Sequence, residues 1–470
     1  MKKNLKAVFS AFLALIMAFA ALPVSALPRF EADEAIAEKA AIEPYWTVPE
    51  GYNVHDYTKC VEFLEQTDEN GVKNGEKLSE SYDPNDPGTW GDVFGEDCFQ
   101  WTTVNGENKL RFVFVWNCDL FGSMDLSDCT ALFEFVCQYT TIAVINLSDC
   151  VMLNSIDCQV NECLAELNVS GCANLNSLIC SGNILADLEI SSCTALVSLN
   201  CESNSLTELN VSNNQSLRFL YCAINSLVDI DLSNNHSLMI LDCRGNGLSE
   251  LDLSQNTDIS ELNCASNNLS QLDLSNNVSL GYLECRENNL SVLDISHNPE
   301  LYYLSCKNNN LSLLNLSANP LLAYDVVRAE GNGYIGYCYG HHDSGSYFYE
   351  LYAYPFAGAD FVGFFDEDGV LLSDGNDYGE WYDGYVYDFY EYYGATYSGT
   401  IIARFSGGAL PGDIDGSGSV STADAITTLR LAMQLLDGSG MNTDAADMDG
   451  NGSITLADAI LILRTAMGLA

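Results

Sequence analysis

Seven cysteines, Cys180, Cys201, Cys222, Cys243, Cys264, Cys285 and Cys306, stand 21 residues apart. Three residues behind each comes an asparagine: Asn183, Asn204, Asn225, Asn246, Asn267, Asn288 and Asn309. From Leu175 to Asn319 the chain repeats the phrase L-x-x-L-x-C-x-x-N-x-L-x-x-L-x-L/V-S-x-N. A fixed period in this range predicts a solenoid, because a single turn cannot bury its own apolar side and must stack it on the next. Most of the chain is thereby assigned to one architecture.

The frame extends beyond the clean repeats. Cys137 and Cys158 belong to the same column, and one extra residue near Leu164 stretches the Cys158-to-Cys180 spacing to 22. Counting back 21 from Cys137 puts Trp116 in the cysteine's place, followed in frame by Phe121, Met124, Leu126 and Cys129. Forward of Cys306 the frame runs through Leu311, Leu314, Leu316 and Asn319 and fades near Asp325. About ten coils of 21 residues are predicted over 116–325, α/β in type and built mostly of short parallel strands.

Composition is consistent with this. The signal-like start, Lys2, Lys3 and Lys6 before an apolar run from Ala7 to Leu22 and small residues at Val24-Ser25-Ala26, predicts a cleaved secretory leader over 1–26 and an extracellular mature chain. Eighteen cysteines in an exported protein ordinarily mean disulfides. Here nine of them share one column, whose stacked side chains run parallel at about 5 Å, whereas a disulfide needs converging Cβ atoms about 3.8 Å apart. The column reads as buried thiols packed like small hydrophobes. A formal charge of -47 with 18 basic residues removes nucleic acid from the partners and suits cations.

A second, polar column closes each coil: Cys129, Cys150, Cys172 and Cys193, then Asn214, Asn235, Asn256, Asn277, Asn298 and Asn319. Either side chain donates to a backbone carbonyl at the bend, Asn strongly and Cys weakly. None of these cysteines has the C-x-x-C spacing that a zinc site favours, so no metal is expected from them. On the strand around each ladder cysteine and at its end, Tyr139, Phe219, Tyr221, Ile224, Tyr282 and Tyr303 are expected to face outward among Asp157, Asp242, Arg244, Glu284, Arg286 and Lys307. Of these, Tyr139, Phe219, Tyr221, Tyr282, Arg286 and Tyr303 are the candidate ligand surface.

Other segments flank the solenoid. Residues 27–56 read as a linker or pro-segment and 57–115 as the cap that a solenoid's raw apolar end requires. That cap is expected to hold a short helix from Tyr57 to Leu64 and a hairpin turning at Asn105-Gly106. A Cys60–Cys98 disulfide is left open. Residues 326–405 are tyrosine-rich, with strands predicted either side of an Asp-Gly turn in FVGFFDEDGVLL and in TIIARF. There Tyr347, Tyr349, Trp381, Tyr382, Tyr385, Tyr387 and Tyr390 are candidates to stack sugars, although an end cap explains the module as well, and His341-His342 lacks a spaced third metal ligand. A flexible joint spans 406–412.

The motif chemistry lies beyond it. A 23-residue segment occurs twice, from Asp413 and from Asp447, each opening D-x-D-G-[SN]-G-S-[VI]-[ST]-x-A-D. Oxygens at loop positions 1, 3, 5, 7 and 12 wrap one hard cation, and glycine at position 6 permits the turn. This assigns Asp413, Asp415, Ser417, the Ser419 carbonyl and Asp424 to one calcium ion, and Asp447, Asp449, Asn451, the Ser453 carbonyl and Asp458 to a second. Ser421 and Thr455 at position 9 are further candidates, and helices are predicted over Ala423–Leu436 and Leu456–Leu469.

Three resemblances follow from these motifs. The repeat resembles the leucine-rich repeats of internalin type with a cysteine ladder, whose surfaces bind protein or carbohydrate. The tyrosine-rich module resembles a divergent internalin B-type repeat. Residues 413–470, an all-α unit of loop, helix, linker, loop, helix, resemble a type I dockerin, which lacks the entering helix of an ordinary EF-hand. That resemblance implies calcium-dependent docking on a cohesin module of a scaffoldin in a cellulosome. The contact surface it implies is Thr422, Ala423, Leu429, Arg430 and Gln434 in one copy, and Leu456, Ala457, Leu463, Arg464 and Gly468 in the other.

The expected function is that of a non-catalytic, secreted binding subunit. The alternative is an enzyme or enzyme inhibitor with its active part in the cap or the tyrosine-rich module. No nucleophile–base pair or phosphate-binding loop stands out to support it.

Overall fold

The structure is a computed structural model that describes residues 45–91, 98–322 and, with breaks, 326–467. The expected leader and most of the segment behind it lie outside the described residues.

The cap begins with helix α1 (Val54–Leu64), three residues earlier than the expected start, because Asn53 takes the N-cap position and accepts from the Asp56 N–H. A short helix α2 (Asn74–Leu78) follows. Strands β1 (Phe99–Val104) and β2 (Glu107–Trp116) form the predicted antiparallel hairpin. Its two turn residues, Asn105 and Gly106, have φ of 53° and 90°, the left-handed pair that a two-residue hairpin requires. Tyr57, Trp90 and Phe99 are fully buried and, with Trp101, form an aromatic cluster that fills the cap.

β2 leaves the hairpin to become the first strand of the solenoid sheet, pairing in parallel with Glu134–Gln138. Here one expectation fails. Val115, not Trp116, lies opposite Cys137, and Trp116 is 48% exposed while Val115 is fully buried. The first coil is one residue longer than the period allows. The surplus lies between Val115 and Phe121, whose partners Cys137 and Thr141 are closer together in sequence, and Leu120 is buried in place of Phe121. Trp116 instead meets Tyr139 edge to face, with centroids 6.1 Å apart.

From there each coil contributes a three-residue strand just before its ladder cysteine. Phe219 pairs with Ile240, Ile240 with Glu261, Glu261 with Tyr282 and Tyr282 with Tyr303, without a shift in register. Ten parallel strands, from Glu107–Trp116 to Tyr303–Ser305, bound about nine turns. The middle leucine of each clean strand and the ladder cysteines behind them are fully buried, so the column packs as thiols. Cys60 is likewise a buried thiol, and the Cys60–Cys98 bridge is not made.

Both side-chain columns hold the coils by hydrogen bonds. Asn204 donates to the Cys180 and Cys201 carbonyls at 2.9 and 3.0 Å and accepts the Leu185 N–H at 3.0 Å, so both ends of its amide are used. In the polar column, Cys150 and Cys172 donate to the Leu126 and Leu147 carbonyls at 3.1 Å. Asn214 donates to the Ile190 carbonyl at 3.1 Å and adds a bond to the Cys193 carbonyl. Asn and Cys therefore exchange in this column because both supply the donor.

Beyond Tyr303–Ser305 the same sheet continues with antiparallel strands Gly333–His341, Tyr347–Pro355 and Tyr387–Tyr390. A five-stranded sheet of Leu313–Asn315, Val326–Glu330, Thr400–Gly407, Ala359–Phe365 and Leu371–Ser373 completes the module. It contains the expected strands on either side of the Asp-Gly turn. The Leu311–Ile335 bridge and the antiparallel pairing of Leu313–Asn315 with Val326–Glu330 show that the module covers the last coil. The side chains of His341, Tyr347, Tyr349, Trp381, Tyr382, Tyr385, Tyr387 and Tyr390 lie outside the described residues, as does His342.

Candidate docking site

Two helices of equal length carry the duplicated motif: α3 (Thr422–Ala432) and α4 (Leu456–Ala466). Each is capped by the loop's ninth residue. Ser421 and Thr455 are N-caps, and Asp424 and Asp458, three residues on, complete capping boxes. Both aspartates are almost wholly buried. Asp424 accepts from the Ile414 N–H at 3.0 Å, the Ser421 N–H at 2.9 Å and the Ser421 hydroxyl at 2.8 Å. Asp458 repeats the set with Met448, Thr455 N–H and the Thr455 hydroxyl, at 2.8, 2.7 and 2.8 Å.

This geometry makes one carboxylate do two jobs. It closes the loop by tying position 12 to positions 2 and 9, and it begins the helix. The all-oxygen donor set is the hard kind that calcium takes. Asp447 is half-buried and Ser453 exposed. Asp413, Asp415, Ser417, Ser419, Asp449 and Asn451 lie outside the described residues. The fit of the ion therefore rests on the two closing aspartates and on the chemistry of the donors.

Behind the loops lies a small shared core: Ile414, Ala425, Ala446 and Ile462, with Val420, Leu431, Met448 and Ile454 packed on it. The outer helix faces are apolar as well. Thr422, Ala423 and Arg430 are exposed and Leu429 half-buried; Leu456, Ala457 and Leu463 are exposed and Arg464 half-buried. Gln434 and Gly468 lie outside the described residues. The structure adds four residues that the sequence reading missed. Ile426 and Ile460 are each 50% exposed, and Met433 and Met467 are also exposed. The signal was there in helical spacing: 422, 426, 429 and 433 fall on one face, as do 456, 460, 463 and 467.

On the solenoid, Tyr282 and Tyr303 are brought together as a stacked pair, centroids 4.2 Å apart and planes 9° from parallel. Tyr282 donates to Glu284, which also receives Arg286, while Arg286 reaches Glu287 as well. Phe219 and Tyr221 share one strand and are half-buried. Two coils separate them from the tyrosine pair, with Ile240 and Glu261 at the intervening positions. Tyr139 is exposed near the first coils, beside Trp116. The candidate surface is thus three separate spots.

Residues 411–465 match the dockerin type I domain. Such domains bind calcium and dock on cohesins of the cellulosome. Among solved structures, the chain is similar to a functional domain of InlJ from Listeria monocytogenes that includes a cysteine ladder, at 20% identity, covering 58% of this chain and 72% of that one, with a TM-score of 0.39. It is also similar to YopM, a leucine-rich effector protein from Yersinia pestis, at 22% identity, 44% and 61% coverage and a TM-score of 0.38. A third is the leucine-rich-repeat protein LIC12759 of Leptospira interrogans, at 18% identity, 40% and 53% coverage and a TM-score of 0.36. The chain spans about half to three fifths of the latter two. No curated protein matches it. The chain is a solenoid of parallel strands with buried columns of leucines and cysteines, and it carries a dockerin type I domain at residues 411–465.

Proposed function

We propose that this protein is a non-catalytic, secreted component of a cellulosome, held on a scaffoldin through calcium-dependent contact with a cohesin, and that its solenoid presents a surface for a protein or carbohydrate ligand. The observation that carries the reading is the double role of Asp424 and Asp458. Each ties its loop to the N-terminal box of a helix with an exposed apolar face, at the position that would close the loop on calcium.

Two calcium ions supply positive charge at the loops. Asp413, Asp415, Ser417, the Ser419 carbonyl and Asp424 would hold the first; Asp447, Asp449, Asn451, the Ser453 carbonyl and Asp458 would hold the second. The chain's own part is to convert that charge into shape. With the loop closed, Asp424 fixes the start of α3 and Asp458 the start of α4. Thr422, Ala423, Ile426, Leu429, Arg430, Met433 and Gln434 then form one contact face, and Leu456, Ala457, Ile460, Leu463, Arg464, Met467 and Gly468 a second. On the solenoid, the Tyr282–Tyr303 pair, Phe219–Tyr221, Arg286 and Tyr139 are the ligand surface, their aromatic faces offering contact area at low entropic cost.

The test is capture of the full chain by immobilised type I cohesin, with calcium and with excess chelator. Retention in calcium and release in chelator is the expected result. Retention that ignores chelator, or none in calcium, contradicts the proposal. Screening the chain with the dockerin already engaged against plant polysaccharides and co-secreted proteins identifies the solenoid's ligand.

A further inference from the structure

A cluster in the cap has no part in docking. His55, Asp56 and Cys129 each bring one potential metal-ligating atom within 4.8 Å of the others. They come from two elements, the first turn of α1 and the polar column of the first coil.

Cys129 differs from the other cysteines of its column. Cys150, Cys172 and Cys193 donate to a carbonyl of the preceding coil, those of Leu126, Leu147 and Val169. Cys129 belongs to the first coil, so the cap replaces that neighbour and its thiol meets Asp56 instead. Asp56 is 2% exposed, and it accepts the Leu110 N–H at 2.9 Å. Among the described residues no lysine or arginine forms an ion pair with it, an expensive state for a buried carboxylate. His55 is exposed, and its Nε2 lies 2.8 Å from the Ser127 carbonyl oxygen. A carbonyl only accepts, so Nε2 carries the proton and Nδ1 keeps its lone pair. Metal-binding histidines are commonly oriented in this way, with the second ring nitrogen donating to a backbone carbonyl.

We infer that His55, Asp56 and Cys129 bind one zinc ion that clamps the cap helix to the first coil. Imidazole, carboxylate and thiolate are the borderline donor set that zinc accepts, and three protein ligands leave a fourth position for water on the exposed His55 side. The Asp56 carboxylate and the Cys129 thiolate together balance the ion's charge; binding releases the thiol proton to solvent. The site differs in kind from the calcium loops, whose donors are all oxygen.

Full-length chain in a Cys163→Ser background, which removes an exposed thiol, is stripped with chelator, saturated with calcium to fill the loops, and titrated with cobalt(II) and with zinc. One equivalent is expected, with a thiolate-to-cobalt charge-transfer band that zinc displaces. His55→Ala and Cys129→Asn each weaken binding by about 100-fold or more. Cys129→Asn keeps the amide that later coils carry in this column, so the coil still folds, as a circular dichroism melt shows. Binding well below one equivalent, a band that persists in Cys129→Asn, or Cys129 found in a disulfide overturns the inference.

Discussion

At the scale of single residues, the solenoid is held by two columns that solve the same problem unequally. Asn204 and its equivalents use both ends of the amide. In the polar column Asn214, Asn235, Asn256, Asn277, Asn298 and Asn319 donate, but their Oδ1 atoms are buried with no partner among the described residues. Asn256→Ala removes the bonds to the Leu232 and Asn235 carbonyls and should cost about 2–4 kcal/mol in a urea unfolding experiment. Asn256→Cys keeps one donor and removes the orphaned acceptor, so its cost should be less than half of that. Equal loss in both variants would show that the column acts through packing alone.

The ladder thiols yield a pH prediction of definite sign. Burial pushes Cys137 and Cys264 up to about 12, and Cys180, Cys201, Cys222, Cys243 and Cys285 well above the ordinary 9.0. Their stabilising effect as neutral thiols is complete below the unfolded value near 9 and is lost as pH climbs toward the folded values. Each thiol then costs up to about 1.4 kcal/mol per pH unit. The urea midpoint of the reduced chain should be flat near neutrality and fall steeply above about pH 9. Alkylation of the native chain should modify the exposed Cys163 and reach the ladder only after unfolding.

At the scale of elements, the strands were legible because a 21-residue period puts a leucine and a cysteine on the same inward face of every coil. The hairpin was legible from Asn105-Gly106. Trp116 was misplaced because period counting assumes that no residue is gained, and the first coil, where a cap strand enters the sheet, gains one. The outward helix residues Ile426, Met433, Ile460 and Met467 were missed for another reason. Apolar side chains at helical spacing look like core until the inner face, Ala425 and Thr428 or Ala459 and Ile462, is seen to be occupied already. Ile426→Asp with Ile460→Asp should weaken cohesin binding by about 100-fold, on the order of 3 kcal/mol, with both helices retained by circular dichroism. Full affinity in the double variant would remove these faces from the contact. The cap cluster was not legible, since His55 and Asp56 meet Cys129 only through the fold.

At the scale of the whole molecule, the solenoid and the dockerin rest on different sources of stability. The coils bury a continuous column of leucines and cysteines, whereas the dockerin's core is a handful of side chains around Ile414 and Ile462. So small a core needs an added constraint, and on the proposed reading the loops supply it by closing on calcium. Hydrogen exchange of the full chain, followed with calcium and with excess chelator, tests this division most directly. The account predicts that amides of α3 and α4 lose protection in chelator while those from Leu132 to Leu322 are unchanged. Protection of both helices that survives chelator would contradict it.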